Sequence, residues 1–195
     1  MKPLTFSRRE VLLLLATATC LPVVATAAPS ASALPGDSFY RLNPRLTDQD
    51  GQPFELGTLQ GGPVLVSMFY SSCEMVCPVL FETVAQTVKT LPPRARERIR
   101  ILMVTFDPER DTVAVLKETA EKHGCDKHWS LVRGSNADVR QIAAALGVQY
   151  RRLASGEFNH STSVLLLDTE GRITKRSGSL GSIDPTLVSA LRQAT

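Results

Sequence analysis

Cys73 and Cys77 stand four residues apart in Cys73-Glu74-Met75-Val76-Cys77-Pro78, directly after the apolar run Val64-Leu65-Val66-Ser67-Met68-Phe69-Tyr70. A run of that kind predicts a strand buried on both faces. The residues from about Met75 to Leu91 predict a helix, closed by Pro92-Pro93. At the start of a helix the i, i+4 spacing places both sulfurs on one face. Amide donors at the helix N-terminus favour the thiolate, the form that attacks disulfides and binds metals. Pro78 fits a first helical turn, where its missing N–H does least harm. The pair can close a disulfide if the helix end yields, or it can share one metal ion. A bridge over so few residues removes little unfolded-chain entropy, which makes a purely stabilising disulfide the weaker expectation.

Two thiolates do not complete a structural zinc site, which takes four ligands. Two thiolates and one imidazole suit copper(I), which is soft and tolerates few ligands. The chain has three histidines. His160 lies in the loop Gly156–Ser161, ahead of a strand predicted over Thr162–Leu167. A lone loop histidine is ordinarily a surface residue, but in this order of elements the loop can return beside the cysteine helix. His123, Cys125 and His128 form a second grouping whose spacing matches no metal motif, and its role stays open. His123 falls at a predicted helix end, where a partly charged imidazole is favourable anyway. Cys125 is left as an odd thiol.

The elements that must position these residues alternate. A turn at Asp48-Gln49-Asp50-Gly51 predicts a hairpin of strands around 45–47 and 53–56. After the cysteine helix come a buried strand over 99–106, a break at Asp107-Pro108, and a helix capped by Asp111-Thr112 that runs to His123 with Gly124 as its stop. A strand near Leu131–Val132, a helix over Asn136–Leu146 and a strand over Val148–Arg151 follow. A hairpin of Thr162–Leu167 and Arg172–Lys175, then a helix over 184–193, close the chain. This is an α/β layer architecture. The order fits a thioredoxin-like fold with a central mixed sheet flanked by helices and an N-terminal β-hairpin extension.

The first 28 residues read as an address, not as part of that fold. Lys2, Arg8 and Arg9 precede the apolar run Val11–Ala16, and Ala25-Thr26-Ala27 fits the small-x-small cleavage rule. Ser7-Arg8-Arg9-Glu10-Val11-Leu12 resembles a twin-arginine export signal. The uncharged stretch from Val11 to Ala28 is also nearly long enough to serve as an uncleaved anchor. Cys20, flanked by Thr19 and without a lipoprotein context, belongs to this leader. Residues 29–36 form a Pro/Ala/Ser linker, and 37–195 make one domain. The expected location is outside the cytoplasm, in the periplasm or on the outer face of the membrane, where free thiols meet oxidants. The 195 residues carry a net charge of only +3, with 43% hydrophobic and 21% charged residues. That composition excludes wholesale disorder and a polytopic membrane protein. It lacks the basic, aromatic-interleaved stripe of a nucleic-acid binder, and no nucleic-acid partner is expected.

Four segments, in order, resemble the Sco/SenC family of copper-binding thioredoxin-fold proteins. They are Cys73-Glu74-Met75-Val76-Cys77-Pro78, Phe106-Asp107-Pro108-Glu109-Arg110-Asp111-Thr112, Asn159-His160-Ser161, and the strand and turn Val164–Gly171. The resemblance runs over about 36–195. It implies that Cys73, Cys77 and His160 bind one copper per chain, Cu+ or Cu2+, with Cys73 and Cys77 also a redox pair. It implies delivery to a client copper enzyme, foremost the binuclear copper site of cytochrome c oxidase, and a thiol reductant that keeps the pair reduced. Some members of the family also reduce disulfides in partner proteins. Asp107 matches an acidic residue near the family's site, with a role in supporting the ligands or contacting the partner; capping of the local turn is the plainer alternative. The chain departs from the common pattern at Glu74-Met75, where many members have Pro-Asp, and at Asn159, often Asp. These changes leave the three ligands in place and bear on which exported copper enzyme is served. Met75 could offer a thioether, but a methionine so placed is expected to pack.

The residues also support a thiol–disulfide oxidoreductase that uses Cys73 and Cys77 without metal, for which His160 would be dispensable. Such enzymes usually carry a pair one residue closer. A peroxidase of the same fold is a weaker third reading, because Cys73 lacks the Thr/Pro-rich setting such a cysteine has.

Overall fold

The computed structural model describes residues 34–195; the expected leader and residues 29–33 of the linker lie outside the described residues. A seven-stranded mixed sheet forms the centre, in the order β2-β1-β5-β4-β3-β8-β9. Strand β3 (Val64–Phe69) is buried along its whole length, as its unbroken apolar run predicts. It pairs in parallel with β4 (Arg100–Thr105), from Val64 opposite Arg100 to Phe69 opposite Thr105. β4 pairs in parallel with β5 (Trp129–Arg133). On the other side β3 meets β8 (Val164–Leu167) antiparallel, and β8 meets β9 (Ile173–Ser177) antiparallel. The lone polar side chain inside β3, Ser67, donates to the Ser163 carbonyl at 2.8 Å, so its burial leaves no orphaned hydroxyl.

The N-terminal hairpin is present as β1 (Leu46–Asp48) and β2 (Pro53–Phe54). It does more than extend the chain, because β1 pairs antiparallel with β5 and so finishes one edge of the central sheet. Helices α1 (Val76–Lys89), α3 (Val113–Lys122), α4 (Asn136–Leu146) and α5 (Pro185–Ala194) bury one face each, and a single turn, α2 (Pro93–Arg96), follows α1. The ends of α4 follow from its sequence. Ser135 and Asp138 form a reciprocal capping box, and Gly147 takes a left-handed φ of 62° at the stop. Among the described residues no helix is long and apolar enough to cross a membrane.

One segment differs from the sequence expectation. Residues 148–151 do not join the central sheet. β6 (Tyr150–Arg152) pairs instead with β7 (Phe158–His160), with Tyr150 opposite His160, in a separate small hairpin. His160 therefore ends a strand and does not sit in an open loop. Gly156 turns the hairpin at a φ of 88°, a conformation that favours glycine.

Candidate metal centre

The cysteines sit where the central strand runs out. Beyond Phe69 the chain turns, and the Cys73 amide donates to the Tyr70 carbonyl at 3.2 Å. Helix α1 opens at Val76, so Cys77 and Pro78 occupy its first turn while Cys73 precedes it. The two sulfurs are thus not a turn apart on one helix face, as the spacing alone suggests. They meet because the turn folds Cys73 back over the open end of the helix, where its sulfur accepts from the Cys77 amide at 3.4 Å. No side chain caps α1 at Met75, and the Cys73 sulfur fills that role.

This placement splits the two thiols chemically. Burial opposes ionisation of Cys73, but the amides of Cys77, Val76 and Met75, with the Cys77 thiol, outweigh it and hold the Cys73 pKa below its ordinary value. Cys77 is 3% exposed. Its burial pushes it up to about 12, helped by the charges of Cys73 and Asp111 and opposed by the Tyr70 amide. A half-buried thiol of lowered pKa beside a buried one of raised pKa is the arrangement of an attacking cysteine and its reserve. Both thiols are free in this state.

The third candidate ligand arrives on the small hairpin. Aromatic rings press that hairpin onto the ends of β3 and β4. Tyr70 meets Phe158 edge-on at 5.2 Å between ring centroids, and Phe106 lies 5.0 Å from Tyr150. His160 is held in the same box, 4.9 Å from Phe106 and 5.9 Å from Tyr70, the latter at 89°. Its Nδ1 lies 3.4 Å from the Ser161 carbonyl and 3.1 Å from Thr162 Oγ1. The carbonyl can only accept, while the Thr162 hydroxyl can donate or accept; both engage Nδ1, and Nε2 is the ring nitrogen they leave. Burial lowers the His160 pKa, with Ser161 opposing, which favours the neutral imidazole that metals bind.

Tyr70 links the two halves. Its ring packs on His160 and Phe158, and its carbonyl accepts from the Cys73 amide. Burial first, then Cys73, pushes the phenol up to about 12. Sequence reasoning passed over Tyr70 as the last residue of a buried strand.

The Asp-Pro-x-x-Asp-Thr segment ties both halves down. Asp107 is buried, and its carboxylate pairs with Arg110, which also donates to the Gly156 carbonyl at the hairpin turn. Asp107 therefore reaches the His160 hairpin through an arginine. Of the expected cap Asp111-Thr112, Thr112 caps α3, its side chain accepting from the Val115 amide. The buried Asp111 carboxylate instead accepts from the Ser71 amide at 3.1 Å and from the hydroxyls of Ser71 and Thr105. It anchors the turn that carries Cys73, and only the three-dimensional fold shows this.

Cys73 and Cys77 are brought into contact, and His160 is brought to the same end of the sheet, its ring against that of Tyr70. Among the described residues no three His, Cys, Asp or Glu side chains are gathered closely enough to hold a metal ion as they stand. The donor types, two thiols and a neutral imidazole, nonetheless fit a soft monovalent ion. The second grouping disperses. His123 stacks flat on Phe81 at 4.2 Å, in a column that continues to Trp129, and burial lowers its pKa. His128 faces Glu97 at 3.6 Å, and Cys125 is a half-buried thiol pushed up to about 12 by burial and Asp126. Met75, expected to pack, is 81% exposed.

Comparison with known proteins agrees with this picture. A protein of Stutzerimonas stutzeri provisionally named as copper-binding is 27% identical over 169 residues, 83% of this chain and 80% of the relative. The structure of Bradyrhizobium japonicum ScoI with copper bound superposes with a TM-score of 0.67 at 22% identity, over 78% of this chain and 97% of that one. BsSco, described as a member of the Sco family of cytochrome c oxidase assembly proteins with a disulfide switch, gives a TM-score of 0.64 at 22% identity, over 78% of this chain and 94% of that one. These two likenesses establish the thioredoxin-like fold. The family model described as SCO1/SenC matches residues 38–193, which takes in the cysteine turn, the Asp-Pro segment and the hairpin together. The chain belongs to the SCO1/SenC family.

Proposed function

We propose that the protein is an exported copper chaperone that carries one copper(I) on Cys73, Cys77 and His160 and gives it to a copper enzyme, foremost the binuclear copper site of cytochrome c oxidase. The observation that carries this reading is that Tyr70 stands between the two halves: its carbonyl accepts from the Cys73 amide at 3.2 Å and its ring meets the His160 ring at 5.9 Å. It sets two soft sulfurs and one imidazole lone pair at the same end of the sheet. A small movement of the hairpin or the cysteine turn closes the three donors around the ion. Support for copper comes from the copper-bound fold relative and the copper-binding name of the Stutzerimonas protein. Support for the client comes from the oxidase-assembly description of BsSco.

The chain's own residues do the following. Amides at the head of α1 lower the Cys73 pKa and so favour the thiolate that accepts the ion. Ser161 and Thr162 engage His160 Nδ1, so Nε2 is the nitrogen offered to the ion. Cys77 gives up its proton on binding, since a metal takes the thiolate. A thiol oxidant outside the cytoplasm takes two electrons from the pair, closes the disulfide and removes both sulfur donors at once. A dithiol reductant restores them. Asp107, through Arg110, positions the hairpin, and Asp111 positions the cysteine turn.

The unequal thiols also favour a second reading, a metal-free thiol–disulfide oxidoreductase with Cys73 as nucleophile. The two separate at His160. The reduced protein is titrated with copper(I) against a chromophoric chelator, as wild type, His160→Ala and Cys73→Ser. The chaperone reading expects one copper per chain in the wild type and a loss of roughly ten-fold or more in affinity in each variant. Copper binding that is absent from the wild type, or unchanged in His160→Ala, overturns it in favour of the oxidoreductase.

A further inference from the structure

Met75 is the residue with no structural task. Met68 and Met103, the other methionines among the described residues, are buried at 2% and 0% exposure in β3 and β4. Met75 is 81% exposed, more than any other large apolar side chain described. It stands at the N-cap of α1, a position served by Ser, Thr, Asp or Asn because their oxygens accept helix amides. A thioether makes a poor acceptor, and the cap is supplied by Cys73 instead. Met75 thus neither packs nor caps, although it lies between the two cysteines in the chain.

Its main chain is nonetheless fixed beside the site. Met75 is two residues from each cysteine, in the turn that the Cys77 amide closes onto the Cys73 sulfur. The side chain starts within reach of that sulfur and has three rotatable bonds and a soft, neutral sulfur at its end. Copper(I) favours thioether as well as thiolate donors. Of the inner donors Cys77 is buried and Cys73 and His160 are half-buried, whereas Met75 stands at the surface.

We propose that the Met75 thioether is a transfer ligand, which takes copper(I) from the protein's inner donors at the surface and presents it to the acceptor. This rests on the chaperone reading above. In the step, a sulfur lone pair of Met75 forms one bond to copper(I) as the bond to the His160 imidazole breaks. Both ligands are neutral, so no proton or electron is gained or lost and the metal stays copper(I). The acceptor's own donor then displaces the remaining protein ligands in turn. A methionine cannot join a disulfide, so this ligand also survives oxidation of the cysteine pair.

The test is the rate at which copper(I) passes from the loaded full chain to a sulfonated copper(I) chelator, measured by stopped-flow absorbance. Wild type is compared with Met75→Leu, which keeps bulk and apolarity without sulfur, and with Met75→Ala. Equilibrium affinity is measured on the same samples. The proposal expects both variants to bind copper(I) as tightly as wild type and to release it roughly ten-fold more slowly, about 1.4 kcal/mol in barrier. Transfer from Met75→Leu at the wild-type rate overturns it. So does a slow Met75→Ala with a normal Met75→Leu, which would make apolar contact the active property. Affinity that falls in both variants would make Met75 a resident ligand, and also overturns it. Failure of the wild type to bind copper(I) at all removes the chaperone reading, and this inference with it, whereas normal binding with unchanged transfer rates removes this inference alone.

Discussion

The Cys77 amide donates to the Cys73 sulfur across 3.4 Å, so a candidate metal ligand is also the cap of the helix that carries its partner. The amides at the end of α1 would otherwise face water, and they stabilise a negative sulfur better than a neutral one. Helix start and thiolate formation are therefore one event.

The first consequence concerns reactivity and pH. Cys73 is held below its ordinary pKa and Cys77 is pushed up to about 12. At near-neutral pH iodoacetamide modifies Cys73 well before Cys77, as read by mass spectrometry of the reduced protein. The sign for stability follows from the same depression. The thiolate's contribution is full above the unfolded thiol's pKa and is lost as pH falls through the folded value. Cys73→Ser abolishes that pH dependence. Equal labelling of the two cysteines contradicts the arrangement.

Asp111 holds the turn before Cys73 through the Ser71 amide and the hydroxyls of Ser71 and Thr105. Replacing it with alanine leaves buried donors without an acceptor. Asp111→Ala is expected to lose about 3 kcal/mol in urea unfolding, while Asp111→Asn, which keeps one acceptor oxygen, loses about half of that. An unchanged unfolding midpoint in Asp111→Ala shows that the turn does not depend on it.

Asp107 acts at one remove, through Arg110 and the Gly156 carbonyl. Asp107→Ala is expected to speed hydrogen exchange at the Phe158 and His160 amides and to weaken copper(I) binding roughly ten-fold, with the three candidate ligands still present. Arg110→Ala is expected to do the same. If either variant leaves exchange in the hairpin unchanged, the positioning role is wrong.

Much of this was legible from residue types. The unbroken apolar run of β3 announces a central strand, and Ser135, Asp138 and Gly147 mark the ends of α4 at Asn136 and Leu146. The Cys-x-x-x-Cys-Pro segment points to thiolate chemistry at a helix start, although Cys73 proves to lie before the helix. The hairpin of β6 and β7 was not legible. A strand over Val148–Arg151 is expected and β6 lies at Tyr150–Arg152, but its partner β7 is three residues long, too short a run to announce a strand in what reads as a loop. What holds it is a set of rings from distant positions, Tyr70, Phe106, Tyr150 and Phe158, whose proximity is a property of the fold. The pair Asp111-Thr112 reads as a local cap, and Thr112 is one, but the partners of Asp111 are 40 and 6 positions away. His123 falls at the end of α3 as expected, yet its task is to stack on Phe81.

The most direct measurement of the central claim is copper-edge X-ray absorption on the reduced, copper(I)-loaded protein, as wild type and as His160→Ala. The account predicts two sulfur donors and one nitrogen donor in the wild type, with the nitrogen lost in His160→Ala and the sulfurs kept. A wild-type ion bound by sulfur alone, or a nitrogen signal that persists without His160, contradicts it.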